Sequence, residues 1–321
     1  MNQTSKLIFT LCMALANIGL AYADYPERPI RFIVPFPPGG ATDIFSRTVG
    51  EKMAEVLGKQ VVVDNRSGAQ GSIGSRLGAN ANPDGYTILF AHQGALTINP
   101  HLYSGLGYET LNDFVAVARG ATATPMIIVN PSVPAKNIGE LVALAKQSPG
   151  KLTFASTSSG QQLVGELFKI SSGTDIRHIP YKGGAPAILD VMTGNVTMMF
   201  ASVTTGLAQV NAGKLRPLAV LSTKRNEAIP NVPTAVEAGY PELSAAEVWY
   251  GVVVPTRTPS PIVLKLNAAI VDILKLPDIT KRLKAVGLEP SPSTPDEFSK
   301  QIRADYARWA KVVHTSGIKA E

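Results

Sequence analysis

Short β-rich runs that open into glycine- and hydroxyl-rich loops, and then into helical patterns, constrain this chain most. Residues 29–36 (PIRFIVPF), 60–65 (QVVVDN) and 86–91 (YTILFA) read as strands. Residues 42–57 read as a helix, because Phe45, Val49, Met53 and Val56 recur at steps of four, four and three. Residues 72–79 read as a shorter one. A second series follows, with strands at 152–156, 177–180, 196–201 and 215–221 and helices at 162–170, 185–193 and 206–212. Repeated β-α units pack as parallel strands joined by right-handed crossovers, so the fold class is α/β.

Two apolar segments break this rhythm, residues 125–130 (PMIIVN) and 249–255 (WYGVVVP). They bracket the second series and read as two crossings between lobes. The predicted domains are therefore one lobe from residues 24–124 plus 248–321 and a second from residues 125–247, the division expected of a chain too long for one core. The tail carries a helix-starting Pro261 followed by Leu264, Ile270 and Leu274. Phe298, Ile302, Tyr306, Trp309 and Val313 form a second helical stripe suited to packing.

Residues 1–23 read as a secretory signal: Lys6 precedes an apolar run from Leu7 to Leu20, and Ala21-Tyr22-Ala23 gives a small-x-small cleavage pattern. The alternative for this segment is a membrane anchor, for which the run is short. Cys12 does not read as a lipid-anchor site, since Leu11 stands where a small residue is needed. It is the only cysteine, so the mature chain is expected to have no disulfide, no thiolate nucleophile and no Cys-based metal site. The net charge is +6, with 30 Lys+Arg against 24 Asp+Glu. The cations are dispersed and lack interleaved aromatics, which argues against nucleic acid and leaves at most a field that attracts anions.

The candidate chemistry follows the strands. The loops are PFPPGGATD at residues 35–43, NRSGAQGS at 65–72, HQGA at 92–95, STSSG at 156–160, YKGG at 181–184 and SVTT at 202–205. Ligands of parallel α/β sheets bind at the carboxyl ends of strands, and three loops per lobe could converge on one cleft. Glycine allows close backbone approach, and the first turn of a helix offers unpaired N–H groups to an anion. Residues 39–42 and the hydroxyls of residues 156–159 fit that role. Asp43, in a first helical turn, would compete with an anion; it either caps the helix or meets a positive ligand group. Arg66 and Lys182 are the cations of these loops, and Arg66 is expected to brace its loop rather than clamp a ligand.

Enzyme readings lack their motifs. Gly39-Gly40 does not continue into a P-loop, and Gly68, Gly71 and Gly74 are not spaced as GxGxxG. No GxSxG elbow occurs, and the histidines at 92, 101, 178 and 314 form no HExxH. A hydrolase pairing His92 with a loop serine would still need an oxyanion hole. No catalytic residue, metal or cofactor is expected.

The same loops carry a resemblance. YP and RPI at residues 25–30, PFPPGGATD at 35–43, VDNRSGA at 63–69 and PDGYT at 83–87 are similar to signatures of the Bug family. So are GELF at 165–168, HIPYKG at 178–183 and AGKLR at 212–216. The Bug proteins are extracytoplasmic receptors of tripartite tricarboxylate transporters. The match runs over essentially the whole mature chain.

The resemblance implies a type II periplasmic-binding-protein fold: two α/β lobes, joined by two crossing strands, that close on a ligand. It implies a monomeric periplasmic protein that delivers a small carboxylate to membrane permease subunits. The carboxylate would be a di- or tricarboxylate or an aromatic one. A periplasmic sensor presenting its ligand to a signalling partner would share fold and cleft. In the family, backbone groups of the first loop hold one carboxylate and the second-lobe loop holds the other. The expected ligand-binding residues are therefore Phe36, Pro38, Gly39, Gly40, Ala41, Thr42 and Asp43 on the first loop. Gln93 and Gly94 follow the third strand. Ser156, Thr157, Ser158, Ser159, Tyr181, Lys182, Gly183, Ala201 and Ser202 come from the second lobe. Two departures bear on the ligand. The loop at residues 156–162 is shorter than usual and ends in Gln162-Leu163, and Ala201 stands where the family often has Asp, which weakens the case for an amino acid.

Overall fold

The computed structural model describes residues 25–246 and 248–316; the expected signal, residues 1–23 with Cys12, lies outside the described residues. Among the described residues no helix is long and apolar enough to cross a membrane. The strands are β1 (Ile30–Val34), β2 (Val61–Asn65), β3 (Thr87–His92), β4 (Phe114–Ala123), β5 (Pro125–Val129), β6 (Thr153–Ser156), β7 (Arg177–Pro180), β8 (Met198–Ser202), β9 (Arg216–Val220), β10 (Val248–Pro255) and β11 (Leu288–Pro290). The helices are α1 (Ala41–Leu57), α2 (Ser72–Ala79), the single turns α3 (Asn99–Leu102) and α4 (Thr110–Asp113), α5 (Ile138–Gln147), α6 (Ser159–Ser172), α7 (Gly184–Thr193), α8 (Val203–Asn211), α9 (Ser260–Lys275), α10 (Pro277–Ala285) and α11 (Pro295–Ser316).

Two sheets result, ordered β11-β4-β10-β3-β1-β2 and β7-β6-β8-β5-β9. Both are mixed, where the β-α rhythm predicts parallel strands. In the first, β1 pairs parallel with β2 and β3, while β10 runs antiparallel to β3 and β4. In the second, β6 pairs parallel with β7 and β8, while β5 runs antiparallel to β8 and β9. Besides the short edge strand β11, which is antiparallel to β4, the reversed strands are β5 and β10, the two apolar segments that break the sequence rhythm. Each is the strand by which the chain enters a sheet from the other lobe, so no crossover helix turns it parallel. Thr124 alone separates β4 from β5, and the return path runs through residues 221–246.

Strands buried on both faces read as unbroken apolar runs, and MMFAS of β8 and PMIIV of β5 are fully buried. Separate apolar clusters cover the two faces of each sheet: Phe32, Phe45 and Phe90 on one face of the first, Trp249 and Phe298 on the other. Phe154, Phe168 and Phe200 fill one face of the second, and Met126, Met199 and Val220 the other. The stripe on α1 holds for Phe45, Val49 and Met53, but Val56 is 57% exposed, because Leu57, four residues after Met53, takes the core-facing place in the last turn. β4 escaped the sequence pattern. Its FVAVARGATA is rich in small residues, and Gly120 is there to admit the Phe45 ring, whose Cζ would lie 2.3 Å from any Cβ.

α6 and α8 each begin three residues earlier than periodicity suggested. Ser158 and Ser202 cap them by accepting from Gln161 N–H and Thr205 N–H. The loops at 156–160 and 202–205 are therefore largely first helical turns. The C-terminal α11 is seated by one close approach: a Cβ at Gly251 of β10 would fall 2.4 Å from Phe298 Cζ and 2.6 Å from the Ala118 carbonyl oxygen. A backbone oxygen cannot step aside, so Gly251→Ala is expected to cost about 1–3 kcal/mol. Urea unfolding checks this; a wild-type midpoint would show that the helix can move off the strand.

Candidate functional site

Between the sheets lies a cleft of about 900 Å³. Its first wall is the loop after β1. Gly39 turns the chain at φ +84°, and Gly40 caps α1 without any side-chain cap bond. Phe36, Pro38, Gly39, Gly40, Ala41 and Thr42 all line the cleft. Asp43 does not: it is buried behind the loop and accepts from Gly39 N–H at 2.9 Å, Asn65 Nδ2 at 3.0 Å and Arg47. Asn65 also donates to the Phe36 carbonyl at 3.0 Å. Asp43 braces the loop rather than capping the helix, since the amide it holds, Gly39 N–H, precedes the cap residue Gly40. Burial raises its pKa, but the Arg47, Gly39 and Asn65 hydrogen bonds outweigh burial and hold the carboxyl below its usual range.

The opposite wall comes from the second sheet. Thr157 and Ser158 line the cleft, and Gln161 braces them by accepting from Thr157 N–H at 2.7 Å and from its hydroxyl at 2.9 Å. Gly183 caps α7 with no side-chain bond, and Ser202 caps α8; both line the cleft. Four helices thus begin on one cavity, with Gly40, Ser158, Gly183 and Ser202 as their caps. Among the described residues no Asp or Glu lines it, and the one formal charge is the exposed Lys214.

The remaining expected residues lie elsewhere. Ser156 is fully buried, bonded to His178 Nε2 at 2.7 Å, and Ala201 sits in the core of the second sheet. Ser159 donates to Asn99 across the interlobe contact. Gly94 is buried too, and a Cβ there would meet Gly160 N of the second lobe at 3.3 Å. Gln93 faces the back of the first sheet, where it donates to Asp305 at 3.2 Å beside the Trp249 indole N–H. Tyr181 and Lys182 line a neighbouring cavity of about 570 Å³, which shares Phe36 and Thr157 with the cleft. Tyr181 donates to Asp190 at 2.5 Å; burial first, and then that carboxylate, push its pKa up to about 12. Arg66 lines neither cavity and pairs with Asp64 at 2.9 Å, the bracing role expected of it.

The model of the tripartite tricarboxylate transporter family receptor matches residues 45–318. The chain belongs to that family. Over 326 residues it is 37% identical to protein BugT of Bordetella pertussis, covering 99% of each chain. Among solved structures it is similar to R. palustris Rpa4515 with adipate, at 33% identity and TM-score 0.89, covering 92% of this chain and 99% of that one. It is also similar to MatC from Rhodopseudomonas palustris with bound malate, at 28% identity and TM-score 0.85, covering 90% and 100%. The protein is accordingly a periplasmic binding protein of the type expected from the resemblance, and not an enzyme.

His92, Gln161, Thr204 and Tyr250 also line the cleft outside the expected set, although His92 and Thr204 fall in loops singled out by composition. His92 ends β3 and the chain turns helical at Gln93, so the two side chains part. His92 stacks between Phe36, 4.7 Å away by ring centroids, and Tyr250, 5.6 Å away. It is 7% exposed, and burial lowers its pKa from the ordinary 6.5 to about 4. The unfolded chain therefore binds the proton that the folded chain refuses, and stability falls as pH drops from 6.5 toward 4. The loss from this group is expected to reach about 2 kcal/mol at pH 5. Denaturation of wild type and His92→Gln between pH 7 and 4.5 measures it: the variant should lose less stability over that window, and parallel profiles would contradict the assignment.

Proposed function

We propose that this receptor is exported, cleaved after Ala23, and captures a small carboxylate as a monomer for delivery to the permease subunits of its transporter. The observation that carries the ligand class is the convergence of four helix N-termini on a cleft without a carboxylate. Each N-terminus brings unpaired N–H groups and the positive end of a dipole. α1 and α7 have glycine caps with no side-chain bond, so their first-turn amides are left for a ligand. The ligand is held between a lobe of residues 24–124 plus 248–321 and a lobe of residues 125–247. Relatives solved with adipate and malate support a dicarboxylate. An amino acid fits poorly, because no acidic residue lines the cleft to meet its ammonium group.

Thermal-shift screening of residues 24–321 against C4–C6 dicarboxylates, citrate and terephthalate should find a compound that raises the melting temperature. Three variants then separate the readings by calorimetry. A Cβ at Gly40 meets nothing within 4 Å, so Gly40→Val should fold normally yet block ligand approach. Ser158→Ala should cost about 1–3 kcal/mol of binding where its hydroxyl donates to a buried carboxylate. Arg66→Ala should bind nearly as wild type. Loss of binding in Arg66→Ala alone would replace the helix-end site with a salt-bridge site. Intact mass of protein recovered from the periplasm should start at Asp24; a full-length, membrane-retained chain would contradict cleavage.

A further inference from the structure

The first-sheet wall of the cleft holds polar atoms that the helix ends do not account for. His92 and Tyr250 are directly opposite in the antiparallel β3–β10 pair, so their side chains share a face. Both line the cleft, at 7% and 4% exposure. His92 Nδ1 accepts from Gly94 N–H at 3.1 Å, which places the proton of the neutral ring on Nε2 and makes that nitrogen a donor. Among the described residues neither this Nε2 nor the Tyr250 hydroxyl has a hydrogen-bond partner. From the second lobe, Thr204 also lines the cleft, and its hydroxyl is buried with no partner. Folded proteins seldom leave three such groups on one cavity unpaired.

We propose that Tyr250 O–H, His92 Nε2–H and the Thr204 hydroxyl form a second, uncharged pole of the cleft that receives the far oxygen-bearing end of the ligand. The glycine-capped N-termini of α1 and α7 hold the first carboxylate; this pole, to which the first turn of α8 contributes Thr204, selects acids that carry an acceptor oxygen at the other end, dicarboxylates above all. The Phe36, His92 and Tyr250 rings supply flat walls for the apolar stretch between. The inference rests on the carboxylate reading of the cleft, and adds a means of telling a diacid from a monoacid of equal length.

The test is calorimetric titration of succinate, adipate and suberate, each against butanoate, hexanoate or octanoate of the same length. Wild type is compared with Tyr250→Phe, Thr204→Val and Gly40→Val. Tyr250→Phe removes one oxygen and keeps the ring. It should weaken the best diacid about ten-fold, leave the matched monoacid within about two-fold, and leave the ligand-free melting temperature unchanged. Thr204→Val should act in the same sense by about three-fold. Gly40→Val should weaken both acids. Wild-type diacid affinity in Tyr250→Phe and Thr204→Val overturns the second pole, as does an equal loss for diacid and monoacid. Wild-type protein that binds neither series overturns the carboxylate reading itself, which is a different result.

Discussion

A helix leaves the N–H groups of its first turn without intrahelical partners, and a binding site made from them depends on how firmly each end is aimed. Here four such ends face one cavity, and the aiming is done from behind. Asp43 ties Gly39 to Asn65 and Arg47, so the first loop is fastened at its turn while the Ala41 and Thr42 backbone stays clear. Gln161 does the same for Thr157. The carboxylate that would repel an anion is thus turned into the brace that presents amides to one. Glycine at two caps removes the side chains that would otherwise compete for those amides.

The two walls must also meet, and the lobes touch at several points around the cleft. Ser159 donates to Asn99, Gly94 approaches Gly160, and Gly183 lies against the Pro37 ring, where a Cβ would fall 2.8 Å from Cγ. A small apolar cluster of Ile98, Leu163 and Val313, with Trp309 against it, joins the first-lobe turn, α6 and the C-terminal helix. Glycine at the touching surfaces lets backbone meet backbone, which brings opposing helix ends close enough to share one small ligand. The stripe on α11 read from sequence as core is core of this kind: Phe298 and Ile302 seat the helix on the first sheet, and Val313 reaches the second lobe.

Much of this was legible because strand-end glycine and hydroxyl residues have a local cause. Composition singles out the first loop and the loops that hold Ser158, Gly183 and Ser202; the choice of individual residues in them rests on the family resemblance. What composition could not supply was phase. Gln93 and His92 are neighbours in one loop signature, yet the change from strand to helical backbone between them sends one to Asp305 and the other to the cleft. Ser156 and Ala201 sit at the ends of strands whose side chains point into the core. Tyr250 was invisible for a further reason: it belongs to a reversed strand whose neighbour, β3, is more than 150 residues away in sequence, and only the sheet order brings them together. The reversal itself follows from a topological fact, the change of sheet between β9 and β10, that no local pattern encodes.

The resulting cleft has a fixed protonation state, and that follows from where each group is buried. Burial holds the His92 ring neutral, and burial raises the Tyr250 phenol so that it keeps its proton. Asp43 is held ionised by the groups it braces. The His92 and Tyr250 donors facing the cavity therefore stay donors over the ordinary physiological range, and apart from the exposed Lys214 no group lining the cleft carries a full charge. An Arg clamp would bind a carboxylate more strongly per contact, but it would pay a large desolvation penalty whenever the closed site was empty. Neutral dipoles avoid most of that penalty. On the proposed carboxylate reading, a receptor that takes up an anion and remains stable while empty is better served by amides and hydroxyls fixed in place than by a buried cation.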